Sequence, residues 1–380
     1  MTENDSHGQF IWLIAEYYRY TGDRALVERM WPHVAAAVAH MDSLRGQRRT
    51  TEWRAPDKRK FFGLLLPSIS HEGYPNPMHS YWDDFFAYRG YADAVVLADV
   101  LGRGAERARY AAARDTFARD LAASIAAAMA EKGIDYVPGC AELGDFDATS
   151  TTVVLTPTDA ADLLPEATIR ATFERYWTFF TDRRDGRLKW DGFTPYEVRV
   201  IGSFVRLGWR DRANDALGWF MGYRNPPGWK QWAEVAYREK RAPRYIGDMP
   251  HTWVGSDFVR SVLDMLAYER GRDSTLVVGA GVPWGWIAGD GSKAPRSTEP
   301  LRVRGARTIY GPVAYTMTAR GDAVEVVLEA GMRMPPGGIE VIPPRRRPFR
   351  RATVDGHPTA LTREGGVVVH SLPARVVLSP

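Results

Sequence analysis

From its N-terminus to about residue 275 the chain repeats one unit: a loop rich in glycine, proline, acids and aromatics, a helix with an apolar stripe, a short turn and a second helix. The first unit has Asn4-Asp5-Ser6-His7-Gly8 as its loop, a helix to about Tyr20, a turn at Thr21-Gly22-Asp23 and a helix to about Leu44. A long loop ending at Asp84 leads to helices near 81–101 and 104–132, and loop 138–150 leads to helices near 148–156 and 166–181. Loop 185–195 opens helices near 196–207 and 211–223, and loop 225–249 precedes a helix near 252–270. The pattern predicts five loop-then-helix starts and four complete hairpins. Beyond residue 300 the segments become short and β-branched, as in Val324-Glu325-Val326-Val327-Leu328 and Val367-Val368-Val369, with Pro/Gly turns between them. The expected organisation is a mainly α domain over 1–275, a Gly/Pro/Ser-rich linker over 276–300 and a small antiparallel β-sandwich over 301–380.

At 380 residues the chain exceeds one typical domain of ~150 residues. With 45% hydrophobic and 25% charged residues, and no apolar run near the ~20 residues a membrane span requires, it has the composition of a globular protein without a membrane span. The single Cys140 excludes a disulfide framework and a multi-cysteine zinc site. The polar start, Met1 to His7, lacks the basic and apolar regions of a signal peptide, and the hairpin count below makes this weak evidence, so localisation is left open. The net charge of +4 is concentrated late, with 12 Lys+Arg against 7 Asp+Glu over 297–380. The run Arg345-Arg346-Arg347-Pro348-Phe349-Arg350-Arg351 invites a nucleic-acid reading, but its prolines favour a solvated loop, and no nucleic-acid partner is expected. The 13 Trp and 17 Tyr sit largely beside acids in loops, where flat rings suit stacking on sugars.

Serial hairpins whose acidic, aromatic loops always precede the first helix, followed by a β-sandwich, resemble the six-hairpin glycosidases. These are the (α/α)6 toroids that include glucoamylases, trehalases and α-L-rhamnosidases. The resemblance implies an inner barrel of first helices, a sugar site among the loops that feed them, a general acid before the third inner helix and a base before the sixth. Five starts in place of six imply a toroid lacking one hairpin at the N-terminus, as in a truncated product, a fragment or a variant closed in another way; if the first hairpin is the missing one, loops 71–84 and 225–249 take the two catalytic positions. Trp82-Asp83 resembles the Gly-Trp-Asp motif of trehalases, with Tyr81 in place of glycine. Gln231-Trp232-Ala233-Glu234 resembles the Trp-Glu motif of rhamnosidases, with Ala233 added. The implied activity is hydrolysis of a glycosidic bond with inversion, Asp83 as acid and Glu234 as base, with no cofactor. Another sugar enzyme on the same toroid (a lyase, phosphorylase or epimerase) or a glycan-binding fragment are the alternatives.

Each assignment has a plainer counterpart. Asp83 could simply belong to a capping box opened by Ser80, and Asp84 or Glu72 could replace it as acid. As acid it needs a carboxyl pKa raised by aromatic desolvation and by neighbouring charge. Glu234 could be a solvated surface glutamate. Asp145 and Asp147 suit sugar hydroxyls, helix capping or, least well, calcium, since the spacing lacks the glycine and distal glutamate of a calcium loop. His71, His79 and His251 are read as sugar contacts or structural hydrogen-bonding groups, because their spacings match no zinc signature and no metal is expected. Trp82, Trp190, Trp229 and Trp232 are candidate stacking platforms or ordinary packing.

Overall fold

The computed structural model describes residues 3–70, 73–147, 149–224, 227–239, 244–288 and 300–380. It comprises two compact units, Met1–Phe180 and Thr181–Pro380. Among the described residues no helix is long and apolar enough to cross a membrane.

In the first unit, α1 (Ser6–Thr21) and α2 (Arg24–Gly46) form one hairpin, and α3 (Tyr81–Val100) and α4 (Gly104–Lys132) the next. The tight α1–α2 turn uses Gly22 at φ 70°, where a side chain would be strained, and the Asp23 carboxylate caps α2 by accepting from the Leu26 amide at 2.9 Å. Helix α3 is buried on nearly every side, from Tyr81 through Ala87 without a break, as expected of a helix enclosed by neighbours. It crosses α1 at two glycines. A Cβ on Gly8 would fall 2.1 Å from the Phe86 carbonyl oxygen, and one on Gly90 would fall 2.8 Å from Gly8 Cα. Below this crossing Ile11, Ile14, Val34, Val38, Tyr91 and Leu97 make one apolar core. The third expected hairpin is corrected: its first helix, placed near 148–156, is a four-residue 3-10 turn, Thr151–Val154. Four consecutive β-branched residues and Pro157 oppose helix propagation there. Its second helix is α5 (Glu166–Arg184).

The second unit continues with β1 (Gly192–Phe193), a 3-10 turn Pro195–Arg199, α6 (Val200–Arg206), α7 (Arg210–Met221), β2 (Ala236–Tyr237) and α8 (Thr252–Leu266). Strands β1 and β2 pair antiparallel. The helix expected to reach about 270 stops at Leu266, and the chain turns directly into β3 (Ala267–Arg270) and β4 (Thr275–Val278). Next come β5 (Leu301–Thr308), β6 (Gly311–Arg320), β7 (Ala323–Leu328), β8 (Ile339–Val341), β9 (Arg351–Val354), β10 (His357–Pro358), β11 (Val367–Val369) and β12 (Ala374–Ser379). They form a six-stranded sheet in the order β10-β9-β12-β7-β6-β5 and a four-stranded sheet in the order β11-β8-β4-β3. All their pairings are antiparallel except β4 with β8, which run parallel. Alternate residues of β6 and β7 point inward, and Tyr315, Met317, Val326 and Val376 share one core with Leu276, Val278, Ile339 and Val367 of the other sheet. The β region thus begins at 267, ahead of the expected 301. Most of the expected linker, 289–299, lies outside the described residues.

The arginine run follows β8 and ends at Arg351, the first residue of β9. Arg346 sits 5.0 Å from the Trp284 ring centre, Arg345 donates to the Glu364 carbonyl, and Arg347 lies 3.6 Å from Asp322.

Candidate active site

The carboxyl expected to act as acid is deep inside the first unit. Asp83 is 1% exposed, accepts from the hydroxyls of Ser68 and Ser70, and also from the Asn4 amide. Burial, opposed by the Ser68 hydrogen bond and assisted by the Asp5 charge, pushes its pKa up to about 7. Asp84 is equally buried, accepts from the Leu65 amide at 3.0 Å and is also raised by burial. Trp82 is 3% exposed and its indole donates to Asp5 at 2.8 Å. Asp83, expected as proton donor, and Asp84 and Trp82, expected as sugar contacts, are all enclosed by protein, whereas a group that touches a ligand must present atoms to it. The raised pKa of a general acid is present at Asp83, but the access is not.

His79 is likewise internal. Its Nε2 accepts from Arg48 at 3.0 Å, so Nδ1 carries the proton that it shares with Glu142 at 2.6 Å. Its ring stacks on Phe61 at 4.5 Å. Asp145, half-buried, accepts from the Tyr74 hydroxyl and the Cys140 amide. Asp147 accepts from the Thr149 and Ser150 amides and both hydroxyls, a local Asx-type turn ahead of the 3-10 turn Thr151–Val154, whose N-cap is Ser150. His71 and Glu72 lie outside the described residues.

The second unit holds a more open group. Segment 232–235 runs beside 246–251, with Glu234 donating its amide to Asp248, Val235 to Ile246 and His251 to Trp232. The close approach needs Gly247, whose φ is 68° and whose Cβ position is filled by the Glu234 carboxylate, with Oε2 only 2.0 Å from it. Each of Glu234, Asp248 and His251 brings one polar side-chain atom within 4.8 Å of the other two. His251, at the N-cap of α8, bonds through Nδ1 to Asp248 at 2.6 Å and through Nε2 to the Tyr196 hydroxyl at 2.8 Å. Among the described residues this is the one carboxylate and imidazole group close enough to hold a cation, and a cation there would displace a bond that His251 already makes.

The tryptophans divide. Trp232, one of the candidate platforms, is buried, donates to the Phe220 carbonyl at 2.9 Å and packs on Phe258. Trp190 is half-buried among Phe193, Trp219 and Tyr223. Trp229 is 59% exposed in the loop that leads to Glu234. Asp248 and Tyr196 are the additions to the expected set. The Asp248-x-x-His251 spacing and the place of Tyr196 in a loop feeding a helix were the available signals.

Helical hairpins and two packed β-sheets are also what the solved structures with a similar fold contain. The chain is similar to the solved α-L-rhamnosidase from Dictyoglumus thermophilum, with a TM-score of 0.55 and 14% identity over 97% of this chain and 39% of that one. It is also similar to the α-L-rhamnosidase from Streptomyces avermitilis, solved with L-rhamnose, with a TM-score of 0.52 and 16% identity over 99% of this chain and 33% of that one. The chain therefore corresponds to between a third and two fifths of those proteins' length, and at such identities the likeness concerns the fold. No protein-family model and no curated protein matches the sequence.

Proposed function

We propose that the chain is the helical-hairpin and β-sandwich part of an (α/α)6-type glycoside hydrolase, in which Glu234 is the carboxylate that removes a proton from the attacking water. The observation that carries this reading is the half-exposed Glu234 carboxylate, seated against Gly247 and grouped with Asp248 and His251 in a loop with an exposed tryptophan. A base must reach water, and an adjacent carboxylate and imidazole can orient that water and bind sugar hydroxyls. Trp229 is the stacking surface for a sugar ring. Asp83 takes a structural part, tying α3 to the Ser68–Ser70 segment.

The test is turnover of aryl glycosides, aryl α-L-rhamnosides among them because both structural neighbours are rhamnosidases, together with neutral oligosaccharides. Glu234→Gln should lower kcat/KM by roughly 10²–10⁴-fold, the usual range for loss of a general base, with the fold retained. Inversion predicts a first-formed sugar of opposite anomeric configuration, visible by proton NMR. Wild-type turnover that survives in Glu234→Gln would overturn the assignment. The burial of Asp83 favours a second reading, a glycan-binding fragment without a proton donor of its own; it predicts oligosaccharide binding by calorimetry with no hydrolysis in the wild type.

A further inference from the structure

Tyr196 reaches the Glu234 group from a different element, and its support is rigid. It sits in the 3-10 turn Pro195–Arg199, where Arg199 grips Asp257 of α8 at 2.8 and 3.1 Å and Glu197 pairs with Arg183 at 2.7 and 2.8 Å. Its ring packs on Trp253 at 4.6 Å and its hydroxyl meets His251 Nε2 at 2.8 Å. The opposite ring nitrogen meets Asp248 Oδ1 at 2.6 Å. An ionised carboxylate only accepts, so the proton of a neutral imidazole belongs on Nδ1, and the Nε2 lone pair must then accept from the tyrosine O–H. Asp248, with its side chain 65% exposed, has little else to restrain it.

We infer that Tyr196 is a positioning residue of the Glu234 site: its hydroxyl, donating to Nε2, holds the His251 ring in place, and the Nδ1–H that Asp248 selects then keeps that carboxylate beside Glu234. The inference rests on the reading of Glu234 as the base and adds the reason for its second carboxylate. Asp248 accepts one hydrogen of the bound water while Glu234 takes the other as a proton, so the oxygen lone pair is aimed by two carboxylates rather than one. Water supplies the proton and Glu234 holds it; the water oxygen bonds to the anomeric carbon as the glycosidic C–O bond breaks, and with the aryl glycosides of the test the leaving group departs as the aryl oxide, which needs no proton. Orientation by a partner's partner is how outer hydrogen bonds act in many sites.

Tyr196→Phe keeps the ring on Trp253 and removes only the hydroxyl. Two readouts follow on the full chain. In protein labelled with 15N-histidine, long-range 1H–15N correlation should show His251 with a protonated Nδ1 and an unprotonated Nε2, the signal being assigned by its loss in His251→Gln. Tyr196→Phe should keep that tautomer, because Asp248 is still in place, and should move the unprotonated Nε2 resonance downfield as its hydrogen bond is lost. In turnover, Tyr196→Phe and Asp248→Asn should each lower kcat by roughly 10- to 100-fold with KM nearly unchanged, and the double variant should lose little more, because both break one chain. An Nε2–H tautomer in the wild type, an Nε2 resonance unmoved in Tyr196→Phe, or fully additive losses would overturn the positioning role. A wild type with the Nδ1–H tautomer that cleaves no glycoside supports the hydrogen-bond arrangement and overturns the hydrolase reading instead, so the two failures are distinct.

Discussion

At the scale of single residues, Asp83 shows how an acid can have the titration of a catalytic group and the location of a structural one. Its pKa of about 7 arises chiefly from burial. An unfolded aspartate titrates near ~3.9, so between about pH 4 and pH 7 the folded chain keeps a proton that the unfolded chain has released. The group therefore costs stability as pH rises through that window, with a slope of up to about 1.4 kcal/mol per pH unit, and contributes no penalty below it. Asp84 is raised in the same direction and adds to the trend. Asp83→Asn, which cannot ionise, should flatten the fall in urea midpoint between pH 4 and pH 7 relative to the wild type. An unchanged pH profile would place the Asp83 carboxyl in contact with water. The sequence carried the acid, the serine three residues earlier and the aromatic neighbours, but a capping pattern and a catalytic loop use the same residue types. What separates them is Ser68 and Ser70 closing over the carboxyl, which depends on how a loop some 15 residues away folds back.

At the scale of elements, helix periodicity was readable wherever a helix buries one stripe, and α1, α2, α4 and α7 lie close to where the pattern places them. It failed at 151–154, where the residues have the right apolar character but are β-branched, and at 267–270, where Ala-Tyr-Glu-Arg continues the helical pattern of α8 although it pairs as a strand with β4. The strand at that point is also tied to β8 by Glu340, which accepts from Arg270 across 70 residues of sequence at 2.7 Å and leaves no local mark. Glycines also mean different things by element. Gly8 lies where α1 touches the α3 backbone, so Gly8→Ala should destabilise by about 3 kcal/mol or more through steric overlap. Gly218 lies exposed within α7 with nothing near its Cβ position, so Gly218→Ala should stabilise by up to about 1 kcal/mol. Urea unfolding of the two variants should shift in opposite directions; a shared direction would refute the α1–α3 crossing.

At the scale of the molecule, the β region recruits chain from both sides of the glycine-rich stretch. Strand β4 is inserted between β3 and β8, with Leu276, Val277 and Val278 opposite Ile339, Glu340 and Val341. All three β4 residues are 0% exposed, and they are shielded by strands that begin more than 60 residues later. The parallel pairing of β4 with β8 requires a long connection, and β5, β6 and β7 lie within it as part of the other sheet. A sequence boundary drawn at 300, where composition changes, would consequently cut through a core. A chain ending at residue 300 should leave β4 as an open, apolar edge strand and should aggregate or express insolubly, whereas the full chain stays soluble. The Glu340→Gln variant of the full chain, which keeps the strand but weakens its tie to Arg270, should remain soluble and unfold at lower urea, by about 1 to 3 kcal/mol for a lost charge-assisted bond. Soluble yield and size-exclusion profile of the 1–300 chain decide the matter: a monomeric, folded product would show that β3 and β4 need no partner from the later strands, and that the helical part ends where composition alone suggests.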